Sequence, residues 1–256
     1  MTRPTLPTAA EGLAIARAVL ASRYPDAAFA FAAGSILRGE GTLHSDVDLL
    51  VVFDRVEAAR RESFRFDGVP VEAFVHDEET LAWAVHGAAM RGRPSFPALI
   101  AEAIVLGPAA ERGERLRHAM AELMSRGPPP MGAAQIAALR YAISEAVDDL
   151  RGERAPAEIL AIGIMLYPLL AELALRGRGS WNATSKWVPR VLAEAGSGLA
   201  SRFDHAFRTL FATGACEAVI ALAEAELAPH GGALFEGHCQ FSPPGRRQWP
   251  GTGRMP

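Results

Sequence analysis

Asp46 and Asp48 are the residues of this chain with the clearest capacity for chemistry. They flank Val47 at the head of a short apolar run, 47–53, with the length and residue types of a buried strand. Residues two apart on a strand project from the same face, so the two carboxylates stand side by side. Adjacent carboxylates repel, and one is pushed neutral unless a cation lies between them. A hard divalent cation with oxygen ligands relieves this, and Mg²⁺ shared with phosphate oxygens is the usual solution. Upstream, the apolar run 27–33 ends in Gly34-Ser35, before a short polar loop. Glycine lets the backbone approach a ligand closely, and successive N–H groups there can cradle phosphate. Ser35 adds a hydroxyl donor.

Strands and helices must hold these groups in place. The first half of the chain alternates between the two patterns. Apolar residues at helical spacing cover 9–24, with Pro25 as a stop; 27–33 and 46–53 read as strands. Segments 63–66 and 69–75 flank Asp67-Gly68, the pair suited to a type I′ hairpin turn, which needs φ > 0 at both central positions. Asp77 is placed to cap a helix running to about 91, and 103–106 reads as a last strand. The cluster Arg126-Gly-Pro-Pro-Pro-Met-Gly132 marks a domain boundary. Beyond it the pattern is helical, over 133–152, 156–177, 183–195, 199–212 and 214–229, with Pro168 expected to kink the second of these. The reading is an α+β protein: a mixed sheet with flanking helices over 1–125, an all-α bundle over 133–241, and a Pro-, Gly- and Arg-rich tail over 242–256 that reads as disordered.

Composition narrows the possible partners. Of 256 residues, 50% are apolar and 21% charged, far from the composition of a disordered chain. There are 26 basic and 29 acidic residues, a net charge of −3, which argues against general nucleic-acid binding. Cys216 and Cys239 are too few for a disulfide framework or a thiolate zinc site. The N-terminus lacks the apolar core of a signal peptide. The longest apolar run, 159–173, contains a proline and ends at charges, so no membrane-spanning helix and a cytoplasmic location are expected. Lys186 is the one lysine among the 26 basic residues.

Gly34-Ser35 followed by Asp46-Val-Asp48 resembles the signature of the DNA polymerase β-type nucleotidyltransferase superfamily. That family carries a third acidic residue on a following strand, and the matching residue is Glu72, in Val69-Pro-Val-Glu-Ala-Phe-Val-His-Asp77. The resemblance extends to the adenylyltransferases that act on the aminoglycosides streptomycin and spectinomycin. Their corresponding segments read much like His44-Ser-Asp-Val-Asp-Leu-Leu-Val51 and Val71-Glu-Ala-Phe-Val-His-Asp77, the latter followed by a helix carrying a tryptophan, here Trp83. In those enzymes a lysine of the helical domain contacts the nucleotide phosphates, and Lys186, in Thr184-Ser-Lys-Trp187, matches it.

The resemblance implies a Mg²⁺-dependent enzyme that moves a nucleoside monophosphate, AMP from ATP, to a hydroxyl of a small-molecule acceptor, with an aminoglycoside as one candidate. It implies Asp46, Asp48 and Glu72 as ligands to two Mg²⁺ ions, with Glu72 also placed to act as general base. Gly34, Ser35 and Lys186 would bind the nucleotide. A different class of function is a regulatory or antitoxin-type protein that modifies or binds a protein partner. Several other polar residues read more simply. Arg38 could touch a phosphate or face solvent, and solvent is the simpler reading; His44 and His76 read as hydrogen-bonding neighbours, because Mg²⁺ prefers oxygen. Glu145, Asp148 and Asp149, on the first bundle helix, could bind a cationic substrate, but a solvated helix face is the simpler reading.

Overall fold

The computed structural model of the chain describes residues 6–196 and 198–241; the expected disordered tail lies outside them. The chain divides into two compact units, one made of Met1–Pro130 with Ala174–Ser197, the other of Met131–Leu173 with Gly198–Pro256.

The first unit is built on a five-stranded mixed sheet. Its strands are β1 (Phe29–Ala33), β2 (Val47–Phe53), β3 (Arg60–Phe66), β4 (Val69–Asp77) and β5 (Ile104–Leu106), in the order β3-β4-β2-β1-β5. β2 and β4 are parallel, and the other neighbours are antiparallel. The central strands β1 and β2 are almost wholly buried, as a sheet covered on both faces requires. One face carries Ala30, Ala32, Val47, Leu49, Val51, Val71, Ala73 and Val75, against Ala16 and Val19 of helix α1 (Ala9–Arg23). The other carries Phe29, Phe31, Leu50 and Val52, against Leu81, Ile100 and Met120 of α2 (Glu78–Met90), α3 (Ser95–Glu102) and α4 (Ala110–Arg126).

Local chemistry explains the turns and caps. Asp67 and Gly68 take φ of 48° and 83°, as a type I′ hairpin demands. Asp77 caps α2, its carboxylate accepting from the Thr80 N–H at 2.8 Å. Thr8 and Glu11 cap α1 reciprocally.

Segment 174–197 was expected to belong to the bundle, but it packs with the sheet unit. The Trp181 indole N–H donates to the Met124 carbonyl at 2.9 Å, and the Asn182 N–H to the Gly92 carbonyl at 2.8 Å. Leu175, Trp181, Val188 and Leu192 are buried. The helix expected over 183–195 is a single 3₁₀ turn, Ser185–Trp187, followed by α7 (Val188–Glu194).

The second unit is helical: α5 (Ala133–Arg151), α8 (Leu199–Thr213), α9 (Glu217–Leu227) and α6 (Pro156–Arg176), whose last residues count with the first unit. Its core includes Ile143, Val147, Leu166, Leu170, Phe203, Phe207 and Leu222. Tyr167 stands edge-on to Phe203 and Phe207, with ring centroids 5.9 and 4.8 Å away. Helix α6 runs continuously through Pro168. At 21 residues and a mean hydropathy of 1.8 over its most apolar stretch, it is long and apolar enough to cross a membrane by length and composition alone. The buried Leu166, Leu170 and Leu173 equally suit a core helix.

Candidate functional site

Register brings the acids together. Asp48 on β2 lies opposite Ala33, the last residue of β1, and opposite Glu72 on β4. Asp46 precedes β2 by one residue. Along this face Leu50, Val52 and Phe74 continue into apolar core, so the carboxylates occupy the open end of a buried surface. Carboxylate oxygens of Asp46, Asp48 and Glu72 all lie within 4.8 Å of one another, and all three residues are partly buried. Among the described residues this is the one such grouping of His, Cys, Asp and Glu.

Burial, and then the charges of Asp46 and Glu72, push the Asp48 carboxyl up from 3.8 to about 6, against the opposing charges of Arg38 and Lys186. Three hard oxygen donors, one of them made costlier to ionise by burial and by its acidic neighbours, are a donor set that fits a divalent cation. Arg61, on the edge strand β3, pairs with Glu72 and stands over the Phe74 ring at 5.3 Å.

Gly34 has φ = +100°, and a Cβ there would collide with the Asp48 carboxylate. Only glycine lets the turn after β1 come this close to the acids. The turn is backed by α1, where Gly12 leaves room for Ile36: a Cβ on Gly12 would sit 2.7 Å from Ile36 Cγ2. The Ser35 hydroxyl donates to Ser45 Oγ at 3.1 Å, and Ser45 Oγ accepts from the Thr42 N–H at 2.8 Å, which folds the 34–45 loop on itself.

A cleft of about 620 Å³ opens from this point, entirely within the first unit. Gly34, Arg38 and Asp48 line one part of it; residues of and just before α3, the end of α4, residues 179–184, Trp187, and residues 190–191 and 194–195 line the rest, and Lys186 lies beside the lining residue Trp187 in the chain. Lys186 is exposed, with its charge in reach of Asp48. Ser185, just before it, holds φ = 52°, a left-handed conformation uncommon outside glycine.

The structure thus brings Gly34, Asp46, Asp48, Glu72 and Lys186 to one region, with Ser35 in the adjoining loop. The sequence reading singles out none of Arg93, Arg126 and Arg190 as site residues, and favours solvent for Arg38. Arg38, expected in solvent, lines the cleft together with Arg93, Arg126 and Arg190. The available signal was the run Ser180-Trp-Asn-Ala-Thr-Ser-Lys-Trp-Val-Pro-Arg190, which mixes two tryptophans with cations and lacks a clean helical period. His44 is exposed, and His76 is buried with Nδ1 3.2 Å from Thr80 Oγ1. Burial pushes the His76 pKa down. In the second unit Glu145 accepts from the Tyr141 hydroxyl at 2.8 Å, Asp148 pairs with Arg151 at 2.6 Å, and Asp149 pairs with Arg154. They form a solvated, self-paired helix face.

Residues 13–85 match the family model described as the nucleotidyltransferase domain, a span that includes β1 to β4 and all three carboxylates. No curated protein matches the chain. Among solved structures, a nucleotidyltransferase-like protein from Exiguobacterium sibiricum 255-15 is similar at 14% identity and a TM-score of 0.44, over 84% of this chain and 73% of that one. The family match thus falls on the part of the first unit where the three carboxylates stand.

Proposed function

We propose that the protein transfers AMP from ATP to a hydroxyl of a small-molecule acceptor, in a Mg²⁺-dependent reaction. The carrying observation is the group of three carboxylates, Asp46, Asp48 and Glu72, of which Asp48 lines a cleft of about 620 Å³. That volume suits a nucleotide-sized ligand, since such pockets run from about 300 to 1,000 Å³.

Asp46, Asp48 and Glu72 would hold the metal. Bound Mg²⁺ would supply charge neutralisation at the phosphates and make the acceptor hydroxyl more acidic. Glu72 takes the hydroxyl proton as the acceptor oxygen forms its bond to the α-phosphorus. The bond from that phosphorus to the bridging oxygen breaks, and pyrophosphate leaves with the electron pair. The Gly34-Ser35 backbone and Lys186 offset the charge that develops on it. Arg61 pairs with Glu72 from the edge strand. An aminoglycoside is the proposed acceptor, on the likeness of segments 44–51 and 71–77 to the streptomycin and spectinomycin adenylyltransferases.

The test is Mg²⁺-dependent pyrophosphate release from ATP across a panel of aminoglycosides, with Asp46→Asn and Asp48→Asn alongside. Acceptor-dependent release that is lost in both variants is the expected result. Binding of Mg²⁺-ATP without release would move the search to other acceptors, proteins included. A wild-type chain that binds no Mg²⁺-nucleotide overturns the reading.

A further inference from the structure

A second polar cluster at the cleft is built from the 34–45 loop and α7. Arg38 and Arg190 both stack on Trp187, with guanidinium carbons 5.2 and 4.7 Å from the ring centre. An aromatic face stabilises each cation, but two cations on one ring repel one another. Glu40 resolves this. Its Oε2 lies 3.0 Å from Arg190 Nη1 and 3.5 Å from Arg38 Nε, so a single oxygen bridges both guanidinium groups. Glu102 adds a second carboxylate, 3.2 Å from Arg38 Nη1.

The bridge is weakly held. Glu40 is half exposed, with 47% of its side chain open to solvent, and exposed ion pairs contribute little. Arg38 and Arg190 line the same cleft as Gly34 and Asp48, and the Arg38 charge acts on Asp48. A planar guanidinium fork suits phosphate better than a single carboxylate oxygen, because phosphate offers several oxygens and more charge.

Resting on the nucleotidyltransferase reading, we propose that Arg38 and Arg190, stacked on Trp187, seat the terminal phosphates of the nucleoside triphosphate, and that Glu40 fills this seat until the nucleotide displaces it. The device separates triphosphate from monophosphate. With its one phosphate held at the acids, a monophosphate would leave the arginine pair to Glu40. Pyrophosphate, the leaving group, stays on the same two arginines until it departs.

Calorimetric titration of the full chain with ATP, AMP and inorganic triphosphate tests this. Arg190→Gln and Arg38→Gln are each expected to weaken ATP and triphosphate binding about tenfold or more, as loss of a charge-assisted hydrogen bond does, and to leave AMP within about twofold. Glu40→Gln is expected to strengthen ATP and triphosphate binding by about threefold or more, because it removes the competing anion while keeping the shape. Thermal melts of the three variants check that each is folded, and Arg190→Lys is expected to restore only part of the ATP preference. Equal losses for ATP and AMP in Arg190→Gln, or unchanged or weaker ATP binding in Glu40→Gln, overturn the assignment while the nucleotidyltransferase reading stands. If the wild-type chain binds no ATP, both fall together.

Discussion

At the scale of single residues, Asp48 carries a cost that metal should remove. Its carboxyl titrates near 6 in the folded chain against an ordinary 3.8. The folded state therefore holds this proton more tightly than the unfolded state does. Stability falls as pH rises between those two values, and the full cost is present above the upper one. A shift of about two units is worth about 3 kcal/mol. Asp48→Asn should thus make the metal-free protein more stable than wild type by up to about 3 kcal/mol at pH 8, with the difference shrinking towards pH 4. Denaturant unfolding in chelator across that range measures it, and added Mg²⁺ should stabilise wild type but not the variant. Gly34→Ala should abolish metal binding, read by titration with Mn²⁺, because its methyl group meets the Asp48 carboxylate and its φ is left-handed. The acids were legible in the sequence because strand geometry alone places i and i+2 together. The cleft arginines were not. With 26 basic residues and a single lysine among them, the chain is too rich in arginine for any one to stand out.

At the scale of elements, α1 acts on the site without touching its chemistry. Gly12 allows the helix to close on Ile36, and Ile36 anchors the loop that follows Gly34. Gly12→Val should lower stability by about 1–3 kcal/mol through overpacking, and should also weaken Mn²⁺ binding as the turn shifts. A variant that loses stability but binds the metal normally would separate the loop from the helix. The hairpin at Asp67-Gly68 and the cap at Asp77 were readable because their chemistry is local. Helix α3 was not, since Pro94 and Pro97 at its start read as loop punctuation. The helix expected over 183–195 forms over Ser185–Glu194, its first turn 3₁₀, but packs with the first unit rather than the bundle. Local pattern gives the period of a helix but not the core against which it packs, and Ser185 breaks the period at its start.

At the scale of the molecule, the chain leaves the first unit after residue 130 and returns to it for 174–197. A fragment ending at residue 130 keeps Asp46, Asp48 and Glu72 but loses Lys186, Trp187 and Arg190, and exposes the surface that Leu175, Trp181, Val188 and Leu192 cover. Such a fragment should bind ATP at least about tenfold more weakly than the full chain, and should bind an apolar dye that the full chain does not. The cut at 126–132 looks natural from sequence because proline and glycine mark where a chain turns, not whether it comes back. The returning segment also carries Lys186, the sole lysine. Side-chain amine chemistry on this protein consequently has one address, and that address lies in reach of Asp48. A ribose-oxidised nucleotide, whose aldehydes condense with a lysine amine, should label the intact chain at a single side chain, with unmodified ATP as the protecting ligand.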